Sequence, residues 1–141
     1  MHTPSFVRAF FSISLLTLLV ALGCESAPST SDKNLLHVDY VQLKEMIAGA
    51  TEKRPVVIVD IRTAAKYENG HIPGAINIPQ GELKSRDGRF AKADKIVFYH
   101  ESFTGIYSDL AAKKLLAEGV DNVYSYGGGW ADWQKRSEGK E

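Results

Sequence analysis

The sequence has almost no cysteine and no excess of charge of either sign. A single cysteine in 141 residues excludes an intramolecular disulfide and a cysteine-rich metal site. Lys and Arg together number 17, as do Asp and Glu, so the formal net charge is +0. Without surplus positive charge to neutralise a phosphate backbone, no nucleic acid is expected as a main partner. The 24% charged and 44% hydrophobic fractions exclude a disordered tail and a multi-span membrane protein, and the length suits one domain.

The N-terminus lacks the long apolar run of a spanning helix. Ala9 to Gly23 contains 15 uncharged, mostly apolar residues after Arg8, whereas a spanning helix needs about 20. A short apolar run after a basic start is typical of a signal peptide. The segment Ala21-Leu22-Gly23-Cys24 resembles the lipobox of bacterial lipoproteins, in which the cysteine is acylated and becomes the first residue of the mature chain. An uncleaved anchor, or an ordinary signal peptide with a chance cysteine, is the alternative.

This resemblance divides the chain into three parts. It implies a signal peptide over 1–23, an acylated Cys24 with a flexible Ser- and Pro-rich tether over 24–34, and one domain over 35–141. More than one acyl chain gives stable anchoring, so the membrane is an expected partner through the lipid anchor. The expected location is the bacterial cell envelope, outside the cytoplasm. By the same resemblance, an Asp directly after the acylated cysteine would favour retention in the inner membrane. Glu25 stands at this position and favours the periplasmic face of the outer membrane in a diderm cell.

After the tether, short β-branched runs alternate with helical patterns. Asp39, with Gln42 as its capping partner, predicts the start of a helix that ends at Gly49. The other predicted elements are strands over 55–60, 75–78, 95–99 and 120–124, helices over 63–68 and 108–118, and a final helix containing Trp130 and Trp133. This alternation predicts an α/β domain with a parallel sheet. The predicted ligand site is the loop after Tyr99, beyond the carboxyl end of a central strand.

Two segments resemble the signatures of the rhodanese-like domain family. The first comprises Val59 to Arg62, then Tyr67, then Gly70 to Pro79. The second comprises Val123-Tyr124 followed by the run Gly-Gly-Gly-Trp-Ala-Asp-Trp over 127–133. The resemblance covers roughly residues 36–136. It implies an α/β, rhodanese-like fold with a roughly five-stranded parallel sheet and helices on both faces.

The position that carries the chemistry of this family differs here. Active members have a cysteine after the central strand, in a loop of the pattern Cys-x-x-Gly-x-Arg-Ser that stabilises a thiolate and its persulfide. In this sequence His100 stands at that position, Tyr107 replaces the arginine, and the loop up to Ser108 is two residues longer. The predicted degenerate active-site loop comprises His100, Glu101, Ser102, Phe103, Thr104, Gly105, Ile106, Tyr107 and Ser108.

The functional prediction depends on this substitution. A persulfide needs sulfur, and the one cysteine is assigned to the anchor. The loop contains Glu101 but no Arg or Lys, which opposes anion binding. We therefore predict no catalytic residue, no metal and no cofactor. The prediction is a non-catalytic binding or regulatory module for which an envelope protein is a possible partner. Asp60 and Arg62 are predicted to form a structural ion pair that supports the pocket. A thiosulfate sulfurtransferase-type or His-dependent phosphatase-like enzyme with an atypical loop is the alternative.

Overall fold

The computed structural model describes residues 35–101 and 104–139. The predicted acylation site Cys24, the tether up to residue 34, and two residues of the predicted loop, Ser102 and Phe103, lie outside the described residues. Within the described ranges, no helix has the length and hydropathy needed to cross a membrane.

A five-stranded, all-parallel sheet forms the centre of the domain, as the resemblance implies. Its strands are β1 (Leu36–His37), β2 (Val56–Asp60), β3 (Ile76–Asn77), β4 (Lys95–Tyr99) and β5 (Val123–Tyr126). Their spatial order is β1-β5-β4-β2-β3, so β4 is the central strand. The edge strand β1 pairs with β5 from the far end of the chain, with Leu36 opposite Tyr124. This order brings the carboxyl ends of β2 and β4 side by side.

Four α-helices connect and cover these strands in the described part of the chain. They are α1 (Tyr40–Ala48), α2 (Ala64–Glu68), α3 (Ile106–Ala117) and α4 (Gly129–Ser137). The predicted capping box of α1 is present, because Asp39 accepts a hydrogen bond from the Gln42 backbone N–H and the Gln42 side chain accepts one from the Asp39 N–H. Each of these bonds satisfies a backbone donor that the first turn leaves unpaired.

Two predicted elements have a boundary displaced by two residues or more. The helix predicted from Ser108 begins two residues earlier, at Ile106, because Gly105 turns the chain with a φ of 63° directly before it. The strand predicted over 120–124 lies at Val123–Tyr126. The apolar Val120 still belongs to the turn after α3, where its backbone N–H donates to the carbonyl of Leu115. The two-residue strand β1 was not predicted from the local pattern, because it is too short to show a periodicity.

The core has two layers, one on each face of the sheet. Along β4, Ile96 and Phe98 pack on the face covered by α3, whereas Val97 and Tyr99 pack on the face covered by α1 and α4. Because successive residues of a strand point to opposite faces, burial on both sides explains the uninterrupted apolar run of this strand. The packed layers fix the end of β4, and therefore the start of the loop that follows it.

Candidate functional site

The loop that follows β4 begins at His100, at the carboxyl edge of the sheet, and leads into α3. Gly105 ends it in the left-handed backbone region, and a Cβ at this position would lie 3.2 Å from the Cα of Gly127. Ser108 is buried, donates to the carbonyl of Gly105 at 2.9 Å and accepts from the Ser125 hydroxyl at 2.9 Å. The far end of the loop is therefore held against β5 and the glycine turn that follows it.

The start of the loop is held by the first turn of α4. The backbone N–H of Trp130 donates to the carbonyl of His100 at 2.8 Å, and that of Ala131 donates to the carbonyl of Glu101 at 3.3 Å. Gly129 permits this approach, because its φ is +64° and a Cβ there would lie 2.5 Å from the His100 oxygen. The glycine run of the second signature is thus a packing requirement of the loop.

A buried ion pair between Asp60 and Arg62 lies beside the loop, as the sequence predicts. The Arg62 Nη2 donates to Asp60 Oδ2 at 2.7 Å and to the carbonyl of Gly70 at 2.6 Å, and Nε donates to Asp60 Oδ1 at 3.0 Å. The Tyr99 hydroxyl also donates to Asp60 Oδ2, at 2.6 Å. Burial and this carboxylate raise the pKa of Tyr99. The network ties β2, β4 and the Gly70 turn together.

Aromatic rings hold the Arg62 guanidinium in place. Its Cζ lies 5.3 Å from the centre of the Trp130 ring and 5.8 Å from that of Tyr99, within the range of a cation–π contact. Burial opposes the charged form of Arg62, but the hydrogen bond and charge of Asp60 outweigh it and raise the pKa of Arg62. The guanidinium is therefore a fixed positive charge next to the loop.

Glu101 meets two cations that the sequence analysis missed. Its Oε2 lies 3.3 Å from Arg62 Nη1 and 3.2 Å from Lys66 Nζ. The loop itself carries no Arg or Lys, but these two side chains reach it from the end of β2 and from α2. Partial burial raises the pKa of Glu101, yet hydrogen bonds from Lys66 and Arg62 outweigh that effect and lower it. The sequence did contain a signal for these contacts. The helix α2, which carries Lys66, directly follows β2, and the carboxyl end of β2 lies at the same edge of the sheet as the loop.

His100 is enclosed by the loop it begins. Its Nδ1 is buried and has no hydrogen-bond partner among the described residues, and its ring centre lies 4.7 Å from that of Tyr107. Burial lowers the pKa of His100, and the charge of Lys66 lowers it further. Both effects favour the neutral form of the imidazole.

Three other described residues of the predicted loop lie at the surface. Thr104, Ile106 and Tyr107 are exposed to solvent. Among the residues that the structure describes, no group of three or more His, Cys, Asp or Glu side chains is placed to hold a metal ion. The site therefore consists of the Asp60–Arg62 pair, Lys66, His100 and Glu101, with the α4 amides behind them.

Comparison with known proteins gives a consistent result. Residues 40–136 match the family model of the Rhodanese-like domain. The thiosulfate sulfurtransferase GlpE of Shewanella oneidensis is 39% identical over 102 residues, which cover 70% of this chain and 92% of that protein. A solved structure from Rhodopseudomonas palustris, of unknown function and titled a possible tyrosine phosphatase, is 25% identical, covers 74% and 83% of the two chains and has a TM-score of 0.63. The human single-domain sulfurtransferase TSTD1, 20% identical, covers 71% and 96% with a TM-score of 0.57 and shares the fold.

Proposed function

The chain belongs to the rhodanese-like domain family, and from that premise we propose that it is a non-catalytic binding or regulatory module. The observation that carries the proposal is His100 at the carboxyl end of the central strand, where the resemblance places cysteine. A thiolate accepts a sulfur atom as a persulfide, and imidazole cannot form that species. Residues 25–141 contain no cysteine that could replace it.

The surroundings of His100 support binding rather than turnover. A nucleophilic imidazole needs an accessible nitrogen, and one of its two nitrogens, Nδ1, is buried. Phosphoryl transfer also needs cations free to face the transferred group, whereas Arg62 and Lys66 both contact Glu101. The pocket thus keeps the family scaffold while its charged groups neutralise one another.

A His-dependent hydrolase of phosphatase-like type is the second candidate. The observation in its favour is that two cations lie beside a neutral imidazole, which can act as a general base near pH 7. The similar structure titled a possible tyrosine phosphatase has the same fold. In this mechanism Arg62 and Lys66 would have to release Glu101 to meet a phosphoryl group. A sulfurtransferase with an atypical loop is the other enzymatic alternative.

Activity measurements separate these functions. The full-length chain, purified in mild detergent, is assayed for sulfur transfer from thiosulfate to cyanide and for hydrolysis of an aryl phosphate. We expect wild-type turnover equal to the blank in both assays, because no thiol is present at the site. His100→Cys is expected to gain sulfur transfer only, since it restores the nucleophile at the carboxyl end of β4.

The control is His37→Ala, which removes an exposed imidazole from β1. The proposal is contradicted by wild-type turnover in either assay that His100→Ala abolishes and His37→Ala leaves unchanged. Thiosulfate as the productive substrate would favour the sulfurtransferase, and an aryl phosphate the hydrolase.

We further propose that the domain is anchored in the bacterial cell envelope through Cys24. The lipobox-like segment and the position of the chain's single cysteine support this. When radiolabelled palmitate is fed to cells that express the full chain, the protein is expected to become labelled. The labelled protein is expected to co-sediment with membranes. Cys24→Ala is expected to lose the label and to migrate as the uncleaved precursor. Equal labelling of both proteins would contradict the anchor, and crosslinking in membranes would test for the envelope partner.

A further inference from the structure

The helix α3 has apolar side chains on both of its faces. Its inner face packs on the sheet and is buried. Ile106, Tyr107 and Leu110 lie on the opposite side and are 57%, 47% and 52% exposed. They are three of the five large apolar side chains that are exposed in the described part of the chain. A helix that is apolar all round is normally buried, and clustered exposed apolar residues mark an interaction surface.

The charges of α3 are divided between its sides in a matching way. With 3.6 residues per turn, Lys113 and Lys114 fall on the side of the exposed apolar residues, and Lys114 Nζ donates to the carbonyl of Leu83. Asp109, the one acid of the helix, faces β1 instead, where its Oδ1 lies 3.1 Å from His37 Nε2. The outward face of α3 therefore combines apolar and basic residues without an acid: Ile106, Tyr107, Leu110, Lys113, Lys114 and Ala117.

The chain enters the domain on the α3 side of the sheet. Leu35, the first described residue, is 7% exposed and belongs to the core layer that α3 covers. His37 contacts Asp109 in the first turn of α3. The predicted tether from Cys24 to residue 34 has 11 residues, which span at most about 40 Å, whereas the 12 residues of α3 are about 18 Å long. A membrane that holds Cys24 is therefore within reach of the outward face of α3.

We propose that the domain rests on an anionic lipid bilayer through the outward face of α3. The three apolar side chains enter the headgroup region, where the burial of apolar area stabilises the contact. The two lysines remain at the level of the anionic headgroups, because their long side chains cover apolar surface while the charge stays in water. The helix thus lies on the bilayer and does not span it.

This inference rests on the proposed function, because the anchor at Cys24 brings the bilayer within reach. It also bears on the proposed binding role. Ile106 and Tyr107 belong to the loop that begins at His100, so the contact brings this loop to the membrane surface. A partner of the pocket would then have to approach along the bilayer.

The test places a fluorophore on this face of the full-length chain, held by its anchor in vesicles of phosphatidylethanolamine and phosphatidylglycerol. An acylated Cys24 has no free thiol, so Leu110→Cys supplies the one site for a thiol-reactive label. We expect doxyl-labelled lipid to quench this label. Dissolved iodide is expected to quench it severalfold less than a label at Val41→Cys. That control is matched, because Val41 is an apolar residue with 57% exposure on α1, which covers the other face of the sheet.

A further variant adds Ile106→Asp to the labelled Leu110→Cys chain. An acid is tolerated in the first turn of a helix, so the fold is expected to persist. The added charge opposes insertion, and iodide quenching is expected to rise to the level of the Val41 control. The inference is overturned if the labels at 110 and 41 are quenched alike, or if Ile106→Asp changes nothing. It is also overturned if iodide is excluded from 110 only in native envelope membranes, because a protein would then cover this face.

Flotation of the vesicles in a density gradient separates the failure of this inference from the failure of the anchor. A chain that does not float with the vesicles contradicts both. A chain that floats while iodide reaches the label at 110 contradicts only the proposed orientation.

Discussion

Asp60→Asn is expected to lower the free energy of unfolding by about 3–5 kcal/mol, because it leaves the buried guanidinium of Arg62 without its countercharge. Both side chains of this ion pair are almost fully buried, at 2% exposure for Arg62 and 0% for Asp60. The asparagine side chain would also place an amide NH2 group, which is a donor, among other donors. The Tyr99 hydroxyl and Arg62 Nη2 both donate to Oδ2 of Asp60. Urea unfolding of the full-length chain, followed by tryptophan fluorescence, measures the loss.

The chain contains its own control for this prediction. Asp87 and Arg89 repeat the Asp-x-Arg geometry at the surface, with Arg89 Nη2 at 2.6 Å and Nε at 2.9 Å from the carboxylate. Hydrogen bonds from Arg89 lower the pKa of Asp87 to about 2. The Arg89 side chain is nevertheless 49% exposed, so solvent replaces the partner when it is lost. Asp87→Asn is therefore expected to cost at most about 1 kcal/mol. Similar losses in the two variants would show that burial does not decide the strength of this pair.

Gly129→Ala is expected to destabilise the domain by about 2–5 kcal/mol and to displace the start of the loop. Two effects add: a non-glycine residue in the left-handed region costs about 1–2 kcal/mol, and forcing an extra methyl group into a packed site costs about 1–3 kcal/mol. The methyl would lie 2.5 Å from the His100 carbonyl oxygen, which is backbone and cannot rotate away. The same unfolding assay gives the energy, and the amide chemical shifts of Glu101 and Trp130 report the displacement.

Gly119→Ala separates the two effects. Gly119 also has a positive φ, +83°, but no atom of the described residues beyond its two chain neighbours lies within 4 Å of a Cβ built there. Its substitution should therefore cost only the conformational part, about 1–2 kcal/mol, and leave the loop signals unchanged. If the two variants lose equal stability, the close approach of α4 to the loop is not a constraint.

Local sequence patterns were sufficient where the determinants are local. The run over 95–99 predicted β4 to the residue, because burial on both faces requires an uninterrupted apolar segment. The capping box at Asp39 needs only two side chains three positions apart, and it formed as predicted. The ion pair of Asp60 and Arg62 is likewise a contact between near neighbours in sequence.

The parts of the site that could not be predicted depend on contacts between distant segments. Glu101 meets Arg62 and Lys66 only because the sheet order places β2 next to β4. From the local sequence alone, Glu101 made the loop acidic and unfavourable for anion binding, and Lys66 was one residue of a short polar helix. Their proximity reverses part of that interpretation, because the carboxylate is the counterion of a cationic site.

The pairing of β1 with β5 has a consequence for the order in which the domain is completed. During synthesis from the N-terminus, Leu36 and His37 of β1 are made before the residues of the other four strands. Their partners, Tyr124 and Ser125, are among the last residues of the fold to be synthesised. The edge strand therefore stays unpaired until nearly the whole domain exists, and contacts of such large sequence separation slow folding. A chain shortened before β5 would lack both the neighbour that β4 needs on that side and the helix that fastens the loop.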